Sequence, residues 1–233
     1  MNEHATGNAG PTPPEDDGEP FSSERYWDDR YQTGGNSGSG SYGRLAVYKA
    51  NQVNEIVHRF KVKEVIELGC GDGNQLSLFS IRKYIGLDVS PLVVERCRAL
   101  YSKGGKRDFR TMQAFGFAED QCDMSMSLDV IYHLVEDSVF ETYLQRLFRI
   151  SRRLVLIYAS DGTETADSPH VRHRKYSDWV AHYQPDWEIV NTYPQPFPKT
   201  ETSNPRHTTF AFFRLYRKIN REPAEARKTS RSG

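Results

Sequence analysis

The stretch Val65-Ile66-Glu67-Leu68-Gly69-Cys70-Gly71-Asp72-Gly73-Asn74 constrains this chain more than any other, because a short apolar run ends there in a carboxylate and breaks into alternating glycines. An apolar strand running into such a turn, with a helix to follow, is where α/β sheets place nucleotide-like ligands. Glycines let the backbone bend tightly and approach a ligand with no Cβ in the way. A dinucleotide site needs G-x-G-x-x-G, so that pyrophosphate sits on a helix N-terminus. The spacing here is G-x-G-x-G. Glu67 would also repel a phosphate, since two like charges roughly 4 Å apart in a partly dry cleft cost several kcal/mol. The turn suits a positively charged ligand.

Further on, Tyr84-Ile85-Gly86-Leu87-Asp88-Val89-Ser90-Pro91 reads as a second strand ending in an acid, with Ser90 as N-cap and Pro91 opening a helix. A carboxylate at a strand end about 20 residues after a glycine loop is placed to accept hydrogen bonds from both hydroxyls of a ribose. With Glu67-x-Gly69-x-Gly71-x-Gly73 and this acid-x-Ser-Pro segment, the chain resembles the class I S-adenosylmethionine (SAM) dependent methyltransferases, small-molecule type. Their first motif is E/D-x-G-x-G-x-G, and their cofactor carries a sulfonium and an ammonium. The resemblance implies a Rossmann-like α/β fold: a doubly wound, seven-stranded, mostly parallel sheet with helices on both faces and a reversed last strand. It also implies SAM as cofactor and S-adenosylhomocysteine (SAH) as product. Glu67 then binds the amino-acid end of SAM or orders the loop, Gly69, Cys70 and Gly71 pass beneath it, and Asp88, followed by Val89, holds the ribose.

Length and charge bound the remainder. The chain has 233 residues, enough for one α/β domain with tails. Lys and Arg number 31 and Asp and Glu also 31, which leaves no net field to attract nucleic acid or an anionic membrane surface. Cys70, Cys97 and Cys122 are odd in number and follow no metal spacing, which points to free thiols in a reducing compartment. No apolar stretch approaches the roughly 18 residues of a membrane span, and the N-terminus lacks the basic-then-apolar design of a signal peptide. A soluble, cytoplasmic protein is expected, without metal dependence, and oligomeric state has no signature.

Residues 1–21 are Gly, Pro, Asn, Glu and Asp with almost nothing to bury and are expected to form a tail. One domain is expected over 22–217, and a basic tail over 218–233. Ser22 or Ser23 caps a leading helix with Tyr26, Trp27, Arg30 and Tyr31 at helical spacing. Residues 34–43 then read as a flexible linker by composition. Their position, before the helical run Leu45 to Phe60, suggests instead a flap over a bound cofactor. The family often covers SAM with an N-terminal Tyr, and Tyr31 and Tyr42 are the candidates. In the helical run, Leu45, Val47, Tyr48, Val53, Ile56, Val57 and Phe60 are expected to face the sheet.

The alternation continues with strand 63–68, helix 74–80, strand 82–88, helix 91–103, strand 107–113, strand 123–128, helix 137–150 and strand 153–159. After a polar insertion come a helix over 176–183 and two strands over 187–193 and 208–216, separated by a loop stiffened by Pro194, Pro196, Pro198 and Pro205. Substrate-side insertions are expected between 160 and 207.

The segment Cys122 to Leu134 resembles the family's fourth motif, where a strand end meets the reacting centre, and it lacks the D/N-P-P-Y/F of nucleic-acid amine methylators. Leu128 and Asp129 then border the methyl. Asp129-x-x-x-His133 puts both side chains on one face if helical, which admits an imidazole oriented by Asp129. Because the methyl is already activated, alignment supplies most of the catalysis, and His133 is the candidate to take a hydroxyl proton. The same histidine can equally line the pocket. The third motif departs from the family pattern, with no acid at the strand end, and Gln113, Ala114 and Phe115 are left to meet the adenine. His170-Val171-Arg172-His173-Arg174-Lys175 is the densest basic run. It is either a solvated face or, through His170, Arg172, His173 and Arg174, with Arg206 and His207 nearby, a site for an anionic or hydroxyl-rich substrate. The expected function is methyl transfer to a small molecule, at a hydroxyl oxygen of a sugar, glycan or secondary metabolite. The alternatives are N-methylation of a small amine and non-catalytic SAM binding.

Overall fold

The computed structural model describes residues 20–118, 121–166, 168–198, 204 and 207–219. The two expected tails lie almost wholly outside the described residues, as does Arg206. The chain opens with α1 (Ser23–Gln32), where the Ser22 hydroxyl accepts from the Arg25 amide at 3.2 Å. Helix α2 (Gly43–Arg59) buries Leu45, Ala46, Ala50, Val53, Ile56 and Val57 on one face. Two details differ from the apolar reading of this helix: Val47 is 50% exposed and Lys49 is 0% exposed. At the N-terminal end of the helix the buried stripe runs through 45, 46, 49 and 50, so position 47 points outward.

The sheet comprises β1 (Glu64–Leu68), β2 (Lys83–Asp88), β3 (Arg107–Thr111), β4 (Cys122–Leu128), β5 (Ser151–Ala159), β6 (Trp187–Tyr193) and β7 (Phe212–Lys218). Its order is β3-β2-β1-β4-β5-β7-β6. The first five strands are parallel, and β7 runs antiparallel to both β5 and β6. Helices α3 (Pro91–Tyr101), α4 (Asp137–Arg149) and α5 (Tyr176–Tyr183) complete the alternation. Strand order reverses at β1, so the C-terminal ends of β1, β2 and β4 border a crevice of the kind in which open α/β sheets bind ligands. Met124, Met126, Leu154, Val155, Leu156 and Ile157 form the sealed centre of the sheet. Each such side chain is worth about 1.5–3 kcal/mol on burial. From α4 the Tyr143 hydroxyl bridges the Leu68 carbonyl (2.8 Å) and Ser127 Oγ (2.7 Å), tying β1 to β4 just below the crevice.

The helix expected over 74–80 is only a 3-10 turn, Gln75–Leu78. Leu76 and Phe79 are both buried, and the Asn54 side chain takes the Leu78 carbonyl and the Ser80 amide, which turns the chain back toward β2 before a helix can extend. The last strand begins at Phe212, because Thr209 pairs with Pro198 in an isolated bridge. Ser90 stands at the N-cap of α3 without a capping bond, and its hydroxyl donates to Asp28 Oδ1 (2.6 Å), drawing α1 over the crevice.

Candidate active site

A cavity of about 420 Å³ lies over the ends of β1, β2 and β4. Its floor holds two buried acids. Glu67, 3% exposed, accepts from the Tyr84 hydroxyl at 2.5 Å. Burial raises its carboxyl to about 7, against the opposing pull of Tyr84 and Lys49. Asp88, 4% exposed, accepts from the Gly71 amide (2.9 Å) and the Ser90 amide (3.1 Å). Burial raises it to about 6 despite those amides. Gly69 and Gly71 have φ of +80° and +58°, and a Cβ at either would overlap a neighbour, Val130 at the first and Ser37 at the second. Close approach from two sides is what requires glycine there.

The roof is α1 and the stretch after it. Ser37 and Asp72 exchange bonds, with the Ser37 amide donating to Asp72 Oδ2 (2.9 Å) and the Asp72 amide to Ser37 Oγ (2.8 Å). The Tyr42 hydroxyl donates to the same Asp72 oxygen (2.8 Å), and Asn74 Nδ2 to the Ser41 carbonyl (2.6 Å). Residues 37–42 are thus tied to the glycine turn itself. Tyr31 lines the cavity and meets Ser37 Oγ at 3.0 Å. Tyr42, the other candidate cover, is absent from the lining because Asp72 holds its hydroxyl.

At the end of β4, Asp129 adopts φ +60° and its amide donates to the Tyr158 carbonyl (2.9 Å). Its carboxylate takes Lys49 Nζ at 2.5 Å and the Tyr132 hydroxyl at 2.9 Å. The expected Asp129-oriented imidazole does not form. Residues Ile131–His133 make a single 3-10 turn, so an (i, i+4) pairing is lost, and His133 Nδ1–H donates to the His170 carbonyl (2.9 Å). Trp27 packs edge-on to the ring at 4.9 Å and His170 stacks at 5.4 Å. Burial lowers His133 to about 4, so the ring is neutral through the physiological range.

Other expected residues separate. Gln113 lines the cavity and its amide donates to Glu24, whereas Ala114 and Phe115 lie outside the lining. Phe115 packs into the core against Phe117 at 5.1 Å, because β3 ends at Thr111 and the turn carries residue 115 away. Met112 takes the wall position instead. The basic run is also not a free anion site. Arg174 donates to the Leu134 and Val135 carbonyls (both 2.5 Å) and pairs with Asp137 (3.0 Å). Arg172 donates to the Val135 carbonyl (2.9 Å) and to Asp137 (3.0 Å). His173 meets Ser160 Oγ at 2.6 Å, and His170 stacks on Tyr26 at 4.6 Å. These side chains clamp the loop that presents His133 and the start of α4. Sequence reading missed Trp27, Ser37, Lys49, Gln75 and Met112 as cavity residues. Lys49 alone had a signal, a lysine on the buried stripe of an amphipathic helix.

A seven-stranded sheet of this order with a reversed β7, and an acid-lined crevice at the switch point, define the class I methyltransferase fold. Residues 65–153, which hold the glycine turn, Glu67 and Asp88, match the family model described as a methyltransferase domain. A search of curated proteins gave no match. Among solved structures, magnesium protoporphyrin IX methyltransferase (ChlM) from Synechocystis PCC 6803 with bound SAH is similar with a TM-score of 0.60 and 14% identity, over 84% of this chain and 97% of that one. The methyltransferase domain of bacterial CtHen1-C gives 0.57 and 17%, over 76% and 100%. N-methyltransferase NodS from Bradyrhizobium japonicum WM9, in complex with SAH, gives 0.57 and 14%, over 73% and 86%.

Proposed function

We propose that this enzyme methylates a hydroxyl oxygen of a small molecule, such as a sugar, glycan end or secondary metabolite, with His133 as the base. The cavity residues fit SAM: acids at two points of the floor suit a cationic nucleoside, and Gly69 and Gly71 leave room where a Cβ would collide. Asp88 would hold the ribose hydroxyls, Val89, Met112 and Gln113 the nucleoside side, and Glu67, Gly69, Cys70 and Gly71 the floor beneath the sulfur. Leu128 and Asp129 would border the reacting end. Bound there, the cofactor supplies a methyl group activated by its positive sulfur.

The observation that carries the acceptor reading is the state of His133. Its Nδ1–H is committed to a backbone carbonyl, which leaves the lone pair on Nε2 in a residue that lines the cavity. A hydroxyl must lose its proton as it attacks, and this nitrogen can accept it. Balanced charge over the chain supports a small acceptor rather than nucleic acid. Three buried free thiols support a cytoplasmic setting, and no helix among the described residues is long and apolar enough to cross a membrane.

Turnover and binding separate the roles. A His133→Ala enzyme is expected to lose about 10²–10⁴-fold in kcat while its SAM affinity stays within a factor of about three. Normal turnover would remove the base assignment, and methylation at nitrogen in the product would move the acceptor to an amine. Asp88→Ala is expected to weaken SAM by about 1.5–3 kcal/mol in isothermal titration.

A further inference from the structure

We propose that Lys49 and Gln75 read the amino-acid end of the cofactor, Lys49 holding its carboxylate and Gln75 Oε1 accepting from its ammonium. The inference rests on SAM occupying this cavity and adds two residues that no motif marks.

Position comes first. The order β2-β1-β4 sets Asp88, Glu67 and Asp129 in a row along one edge of the sheet. A nucleoside anchored at Asp88 extends its remaining atoms across β1 toward β4. At that far end, α2 delivers Lys49, fully buried and lining the cavity, with Nζ 2.5 Å from Asp129 Oδ2. A buried ammonium is costly unless paired, and one carboxylate oxygen uses one of its three donors. Nζ also lies over the face of Tyr158, 5.5 Å from the ring centroid.

Gln75 gives the second, independent observation. It is 5% exposed, lines the same cavity, and its Nε2 donates to the Ala46 carbonyl at 2.8 Å. That bond fixes the amide orientation, since a flipped amide would set two oxygens against each other. Oε1 is then a buried acceptor with no partner. Native structures leave few such atoms unsatisfied, and a missing ligand donor is one reason for an exception. Ala46 and Lys49 sit one turn apart on α2, so a single helix face places both readers. One cation and an open acceptor beside two acids match a zwitterion attached to a sulfonium.

Isothermal titration with three probes tests this: SAH, decarboxylated SAM, which keeps the ammonium and lacks the carboxylate, and 5′-methylthioadenosine, which lacks both. Lys49→Met is expected to weaken SAH by about tenfold or more and leave the other two unchanged. Gln75→Leu is expected to weaken SAH and decarboxylated SAM by about five- to tenfold and leave 5′-methylthioadenosine unchanged. Because Lys49→Met strands Asp129, the pair Lys49→Met with Asp129→Asn is measured beside it, with melting temperatures for all variants. Equal losses for all three probes would mean that the residues are only structural, and no loss for SAH would also overturn the proposal. A wild-type protein that binds none of the probes would instead overturn the cofactor reading.

Discussion

Glu67 is an acid whose charge is disfavoured until a cation arrives. With its carboxyl raised to about 7 by burial, Glu67 holds a proton through much of the acidic range before a cation binds. A cationic ligand prefers the carboxylate, so binding must expel that proton below about pH 7. SAM affinity is therefore expected to rise as pH increases from 6 to 8, with proton release measurable by titration in two buffers of different ionisation enthalpy. Glu67→Gln should flatten the profile and weaken binding at pH 8; an unchanged slope would point to another group. At Asp129 the sequence placed a carboxylate at the right strand end, yet its partners were not legible. The lysine it binds is 80 positions earlier, and the histidine expected beside it takes a carbonyl from residue 170.

Among the elements, the segment from 33 to 43 shows why composition misleads. Its glycines and serines read as a linker, but Ser37, Ser41 and Tyr42 bond Asp72 and Asn74. Limited proteolysis is expected to cut this stretch faster in Asp72→Ala and more slowly when SAM is present; equal rates with and without SAM would argue against a flap. The basic run makes the opposite point, since charges that looked available to substrate hold the loop 134–137. Arg174→Ala should lower stability by about 1–3 kcal/mol, because it leaves buried carbonyls unpaired. A change confined to KM, with no shift in melting temperature, would restore the substrate reading.

For the whole molecule, Glu67 and Asp88 both titrate higher folded than free, about 7 and about 6 against ordinary values of 4.5 and 3.8. Acids shifted upward bind more protons in the folded state, so their contribution to stability is present at low pH and lost as pH rises through those folded values. Glu64, Asp123 and Asp137, held low by arginine or lysine partners or by backbone amides, act in the reverse sense at more acidic pH. The empty Glu67→Gln protein should therefore melt higher than wild type at pH 8, with a smaller difference at pH 5. An equal difference at both values would place the effect elsewhere. The alternation of strand and helix, the ligand crevice at the strand ends and the acids at 67 and 88 could be read along the chain alone. Those follow from local periodicity, glycine spacing and the fixed positions of strand ends. Folding in three dimensions was needed to bring Lys49 and Gln75 to the cavity, to turn His133 to a carbonyl and to set the basic run to holding the scaffold. Each depends on contacts between segments far apart in the chain, where hydrogen-bond partners are set by packing and leave no periodic trace.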